Sequence, residues 1–134
     1  MARRMFRWGR SEAGVATTEF VIIVPALILL IMVVIQFALY YDAANVATAA
    51  AQDSVRAARI ENGTAAAGQA AAQELLDQAG GGVFTSASVQ TTRGGRSVHA
   101  DVDGIVVSVI PGLQLHLTRS ADGPIEQFLP PSQR

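Results

Sequence analysis

A carboxylate at the head of an apolar run is what most constrains this chain. Residues 20–39 are apolar apart from Gln36 and the imino acid Pro25, and Glu19 stands directly before them. Gly14 lies five positions before Glu19, and Arg3, Arg4, Arg7 and Arg10 come earlier still. A helix of about 20 such residues spans roughly 30 Å, the thickness of a bilayer's hydrocarbon core. A carboxylate at that edge is expensive in lipid, so it is read as functional by default. The arginines lie just before the run, and Asp42 is the first charge after it. By the positive-inside rule the N-terminus is then cytoplasmic and residues 41–134 are extracytoplasmic. Tyr40 and Tyr41 suit the outer interface, where a ring is half buried and its hydroxyl wet.

Two kinds of export signal fit the run less well than a membrane span does. A secretory signal has an apolar region of about 7–15 residues ending at a small-residue site. Here the run is longer, and the nearest such site, Ala47-Thr48-Ala49, lies well beyond it. Arg3-Arg4-Met5-Phe6 suggests a twin-arginine signal, but most of the surrounding pattern is missing. A plain signal-anchor remains compatible with composition alone. Pro25 is tolerable in a membrane helix, where it either kinks or locally melts the helix or is simply accommodated.

Charge and composition narrow the rest. Residues 1–14 set four arginines against Glu12, a net +3, and the remainder sets six arginines against ten acids, a net −4. Nothing in this balance points to nucleic acid. With no cysteine there is no disulfide framework, thiolate chemistry or cysteine metal site. Outside the apolar run much of the hydrophobic content is alanine, so the outer portion buries only a thin core.

The outer portion reads as α+β. Residues 41–60 lack Gly and Pro and continue the membrane helix, making one rod of about 40 residues and 60 Å. Asn62-Gly63 ends it; Asn62-Gly63-Thr64 also matches a glycosylation acceptor, with the helix stop preferred. Thr64 caps a second helix over 65–79, with Ala65, Gly68, Ala72, Leu75, Leu76 and Ala79 on one face. Gly80-Gly81-Gly82 ends that helix. Strands follow at 83–90, 97–103, 105–110 and 113–118, with a turn at Gly94-Gly95, a bulge at Gly104 and a turn at Pro111-Gly112. They form a three- to four-stranded antiparallel sheet with one apolar face for a helix to cover. The expected organisation is a basic cytoplasmic leader over 1–14, a helix over 15–60, an α+β domain over 61–119 and a loosely held proline-containing tail over 120–134.

Chemistry is sparse. There is no Ser/His/Asp signature, phosphate-cradling glycine loop or H-E-x-x-H, so no catalytic residue, metal site or cofactor is expected and the chain is read as a non-enzyme. The one polar constellation is His99, Asp101 and Asp103 on one strand face, with His116 on a strand nearby. A metal-dependent enzyme would need His99, Asp101 and His116 to converge on an ion, whereas a solvated sheet face is already required by the alternation.

The stretch 10–21, Arg-Ser-Glu-Ala-Gly-Val-Ala-Thr-Thr-Glu-Phe-Val, followed by Val24-Pro25 and further aliphatics, resembles the TadE-like proteins. These are pilin-like minor subunits, or pseudopilins, of the Tad (tight-adherence) pilus, related to type IV pilins. The resemblance is close over residues 10–60 and general in pattern beyond. It implies cleavage after Gly14 by a prepilin peptidase, leaving Val15 as the new N-terminus and Glu19 as the fifth mature residue. It further implies docking through Glu19 and Phe20, Glu19 pairing with the N-terminal amine of a neighbouring subunit. Val15 stands where type IVa pilins commonly carry an aromatic, and Phe20 where the major Tad pilins usually carry tyrosine. The outer domain is larger than that of the short major subunit, which favours a minor one.

The partners so implied are the cytoplasmic membrane, the prepilin peptidase, other pilins and pseudopilins (TadF-like and Flp-type major subunits) and the Tad assembly platform. The role implied is assembly of a pilus for adhesion or DNA uptake. The alternative is an uncleaved, single-pass, membrane-anchored binding module.

Overall fold

The computed structural model describes residues 12–125. The leader arginines Arg3, Arg4, Arg7 and Arg10 and the tail prolines Pro130 and Pro131 lie outside the described residues. Five elements follow in order: α1 (Glu12–Arg59), α2 (Ala65–Ala79), β1 (Phe84–Gly94), β2 (Ser97–Val106) and β3 (Leu115–Pro124). The class is α+β, a long apolar helix, a short second helix and a three-stranded antiparallel sheet in the order β1-β2-β3.

α1 has 48 residues, about 72 Å of helix. It is helical from Glu12, the first described residue. Asn62 adopts a left-handed backbone, φ 65°, and ends the α1 corner as expected. The Thr64 hydroxyl accepts the Ala67 N–H at 3.0 Å and caps α2.

The two helices cover one face of the sheet. α1 contributes Ala43, Ala47, Ala50, Ala51, Ser54, Val55 and Ala58, all buried, and α2 contributes Gly68, Ala72 and Leu76. The sheet answers with Val98, Ala100, Val102 and Val106 of β2, Val89 of β1 and Leu117 of β3. Burying each such valine contributes about 1.5 kcal/mol or more. Small residues let the backbones approach closely. A Cβ on Gly68 would lie 2.6 Å from the Ser54 carbonyl oxygen, and one on Gly123 would lie 2.5 Å from Val55 Cγ1.

Three details of the sheet differ from expectation. The irregularity lies at Thr85 in β1, where Phe84 pairs with Val106 and Ser86 with Ile105, rather than at Gly104. Gly104 continues β2, and its missing side chain is filled by the Phe84 ring, whose Cδ1 would sit 2.7 Å from an added Cβ. The apolar run 105–110 leaves the sheet after Val106, so there is no fourth strand among the described residues. β3 continues through Ser120 to Pro124, into the segment expected to be a tail, because it pairs with β2 as far as Ser97↔Pro124.

Candidate membrane and assembly helix

α1 changes character along its length. Its first two thirds present Phe20, Ile22, Leu27, Leu30, Val34 and Phe37 to the exterior, each about half exposed or more. A window within this helix has mean hydropathy 3.0, long and apolar enough to cross a membrane once. In water such a surface would be a severe liability; facing lipid or other apolar helices it is appropriate.

The residues expected from sequence to serve cleavage, docking and a kink all fall on this part of α1. Gly14 and Val15 lie near the helix start, and the helix runs unbroken through both. Glu19 is exposed one residue before the apolar surface, and Phe20 beside it is 66% exposed. Neither meets a core residue among the described residues, which leaves both available to a neighbour. α1 also continues without interruption across Pro25, so the helix is not locally melted there. The proline still removes one N–H from the ladder, leaving the Val21 carbonyl without its usual helical donor.

Gln36 is the residue whose role the sequence did not reveal. It is the one amide inside the apolar run, and that was the available signal. It is 4% exposed and uses both ends of its side chain. Nε2 donates to the Val107 carbonyl at 3.2 Å, and Oε1 accepts the Val109 N–H at 2.9 Å. The Ser108 hydroxyl lies 3.0 Å from both Gln36 Oε1 and the Ile110 carbonyl, donating to one at a time, and accepts the Ile110 N–H at 3.2 Å. Where the chain leaves the sheet after Val106, a helix side chain thus takes the Val107 carbonyl and the Val109 N–H.

The polar sheet face does not assemble a metal centre. His99 pairs across the strands with Asp122, and its Nδ1 is bonded to that carboxylate, while Nε2 lies 3.0 Å from Asp101. His116 instead pairs opposite Ile105, six residues along β2 from His99, a separation of about 20 Å at the rise of a strand. Asp103 accepts from the Thr118 hydroxyl at 2.6 Å. Among the described residues no group of three His, Asp or Glu side chains could hold a metal ion. The hydrogen bond to Asp122 raises the His99 pKa above 6.5, with desolvation opposing and the nearby Asp101 charge adding to the rise. On this exposed face the pair is a cross-strand fastening.

No curated protein and no solved structure matches the chain. A family model does: TadE-like protein, over residues 14–56. The match begins at the glycine before the apolar run and ends where α1 is fully engaged by its own domain. Over residues 14–56, most of the long helix, the chain is similar to the TadE-like family.

Proposed function

We propose that this protein is a minor pilin of the Tad pilus, stored in the cytoplasmic membrane, cleaved after Gly14 by a prepilin peptidase and docked into a growing assembly through its N-terminal helix. One observation carries this reading. α1 buries its distal part against its own domain, while the part headed by Glu19 and Phe20 is apolar and largely exposed as far as Gln36. After cleavage, Glu19 would face the new amine of Val15 on a neighbouring subunit. Two opposite charges in an apolar surround offset one another, while either alone is strongly unfavourable, so the pair would select one axial register. A bend at Pro25, where the Val21 carbonyl lacks its helical donor, would help the helix move from bilayer to assembly. The N-terminus is cytoplasmic and the sheet extracytoplasmic on this reading, and the partners are the peptidase, TadF-like and Flp-type subunits and the assembly platform.

The test is the N-terminal mass of the protein from its native membrane, with and without the peptidase. A chain beginning at Val15 only when the peptidase is present supports the proposal. An intact leader in both states leaves an uncleaved anchored module. Glu19→Ala then separates the two further: incorporation into pili is lost if Glu19 docks subunits, and nothing changes if α1 is only an anchor.

A further inference from the structure

We infer that the loop joining β2 to β3, residues 107–114, is itself seated in the bilayer, immersed at the boundary of the leaflet on the domain's side. This rests on α1 crossing the membrane, and it concerns a surface that the assembly reading does not use. The first observation is depth. Gln36 holds Val107 and Val109 against α1, and Gln36 lies three residues short of the end of the apolar run at Leu39, about 5 Å along the helix axis. A loop bonded there cannot stand clear of a bilayer whose hydrocarbon reaches Leu39.

The second observation is composition and continuity. From Gly104 to Thr118 the chain carries no Asp, Glu, Lys or Arg. Ile110, Leu113 and Leu115 line an open groove with Val33, Phe37 and Tyr40 of α1, and its exposed lining surface is apolar. Phe37 is 73% exposed and Val33 54%, so the groove runs directly into the lipid-facing surface of the spanning segment. Charged side chains resume only with Asp103 and Arg119, up the sheet from the loop.

The third observation is independent of hydropathy. Irregular backbone is tolerated at membrane depth only where its polar groups are satisfied internally. Here the Val107 N–H donates to the Val83 carbonyl at 2.8 Å, and Gln36 takes the Val107 carbonyl and the Val109 N–H. Ser108 takes the Ile110 N–H, and the Leu113 N–H closes the Pro111-Gly112 turn on the Ile110 carbonyl at 3.2 Å. Gly112, at φ 79°, makes that turn possible. The Gln36 and Ser108 side chains thus cover loop backbone groups that would otherwise stand unpaired in an apolar surround. The occupant of the groove is therefore lipid acyl chain, and the loop acts as a second, shallow contact that fixes the domain's tilt on the membrane.

The chain has no cysteine, so single ones can be placed freely. The full chain, carrying Ile110→Cys, Ile28→Cys or Arg93→Cys labelled with an environment-sensitive fluorophore, is reconstituted in phosphatidylcholine–phosphatidylglycerol vesicles containing lipids nitroxide-labelled along the acyl chain. The expected result is loss of emission at positions 110 and 28 and none at 93, which lies near the opposite end of the sheet. Quenching at 28 with a bright probe at 110 overturns the inference while leaving the spanning helix intact. A bright probe at 28 overturns the spanning helix and the inference with it. Disulfide pairing between Ile110→Cys chains, with the lipid quencher excluded, overturns it in favour of a second copy of the chain in the groove.

Discussion

The two parts of α1 show how one helix can serve two different surroundings. From Phe20 to Phe37 it carries large aliphatics and phenylalanines that its own chain leaves exposed, and from Ala43 to Ala58 it carries alanines and a serine that its own chain buries almost completely. The pattern is opposite to the intuition that the largest apolar residues belong to the core. On the exposed part, side-chain bulk offers the most apolar surface for contact outside the chain. Where the helix meets its own domain, small side chains let α2 and the sheet come close enough for backbone-to-side-chain packing, as at Gly68 and Gly123. Stability of the domain should therefore depend on keeping the distal surface small, while the proximal surface, Gln36 apart, faces away from the rest of the chain.

The sharpest way to break that comparison is to add bulk to the small surface. Gly68→Leu would force α2 off Ser54 and Ala58, and we expect a loss of about 3 kcal/mol, at the upper end of overpacking costs, measured by denaturant unfolding in detergent micelles. Unchanged stability would mean that the α1–α2 contact is not tight. At the boundary between the two parts, Gln36→Leu leaves the Val107 carbonyl and Val109 N–H without their partner. A loss of about 2 kcal/mol is expected, together with faster amide exchange at Val109 than in the parent protein.

A smaller effect belongs to the sheet face remote from both. Asp122 raises the His99 pKa, so the folded state binds the proton more tightly than the unfolded chain does. The stabilisation is complete below 6.5 and is lost as pH rises through the folded-state value. His99→Asn should remove this pH dependence, and because the pair is exposed, added salt should weaken it in the parent. Smallest of all, Leu30→Ala, at a position 59% exposed, should alter the domain's unfolding by less than about 0.5 kcal/mol. A large loss there would show that the proximal surface is packed within the molecule after all.

Much of this was legible in the sequence because it depends on local physics. The 20-residue apolar run, the Asn62-Gly63 stop, the Thr64 cap and the alternation of Val98, Ala100 and Val102 each need only a neighbour or two to be decided. The cleavage and docking roles of Gly14 and Glu19 are of another kind: they come from the resemblance over the head of the helix and stand as part of the proposal. The fate of residues 105–110 was not, because an apolar hexapeptide suits a strand equally well. Ile105 and Val106 stay in β2, while Val107 and Val109 bond to an amide 71 and 73 residues earlier in the chain. Likewise Gly104 suggested a bulge, but the space it leaves is taken by the Phe84 ring and the irregularity falls on the opposite strand.

Sequence alone determined the membrane-length helix, its charge asymmetry, the second helix and the presence of an antiparallel sheet, since periodicity, caps and hydrophobic length are properties of short segments. Only the tertiary structure decided which apolar residues the chain buries and which it leaves exposed, that His99 and His116 stand far apart, and that Gln36 ties a loop to α1. Those outcomes depend on strand register and on contacts between residues distant in the chain, and a hydrogen bond across 71 residues leaves no local trace in the order of amino acids.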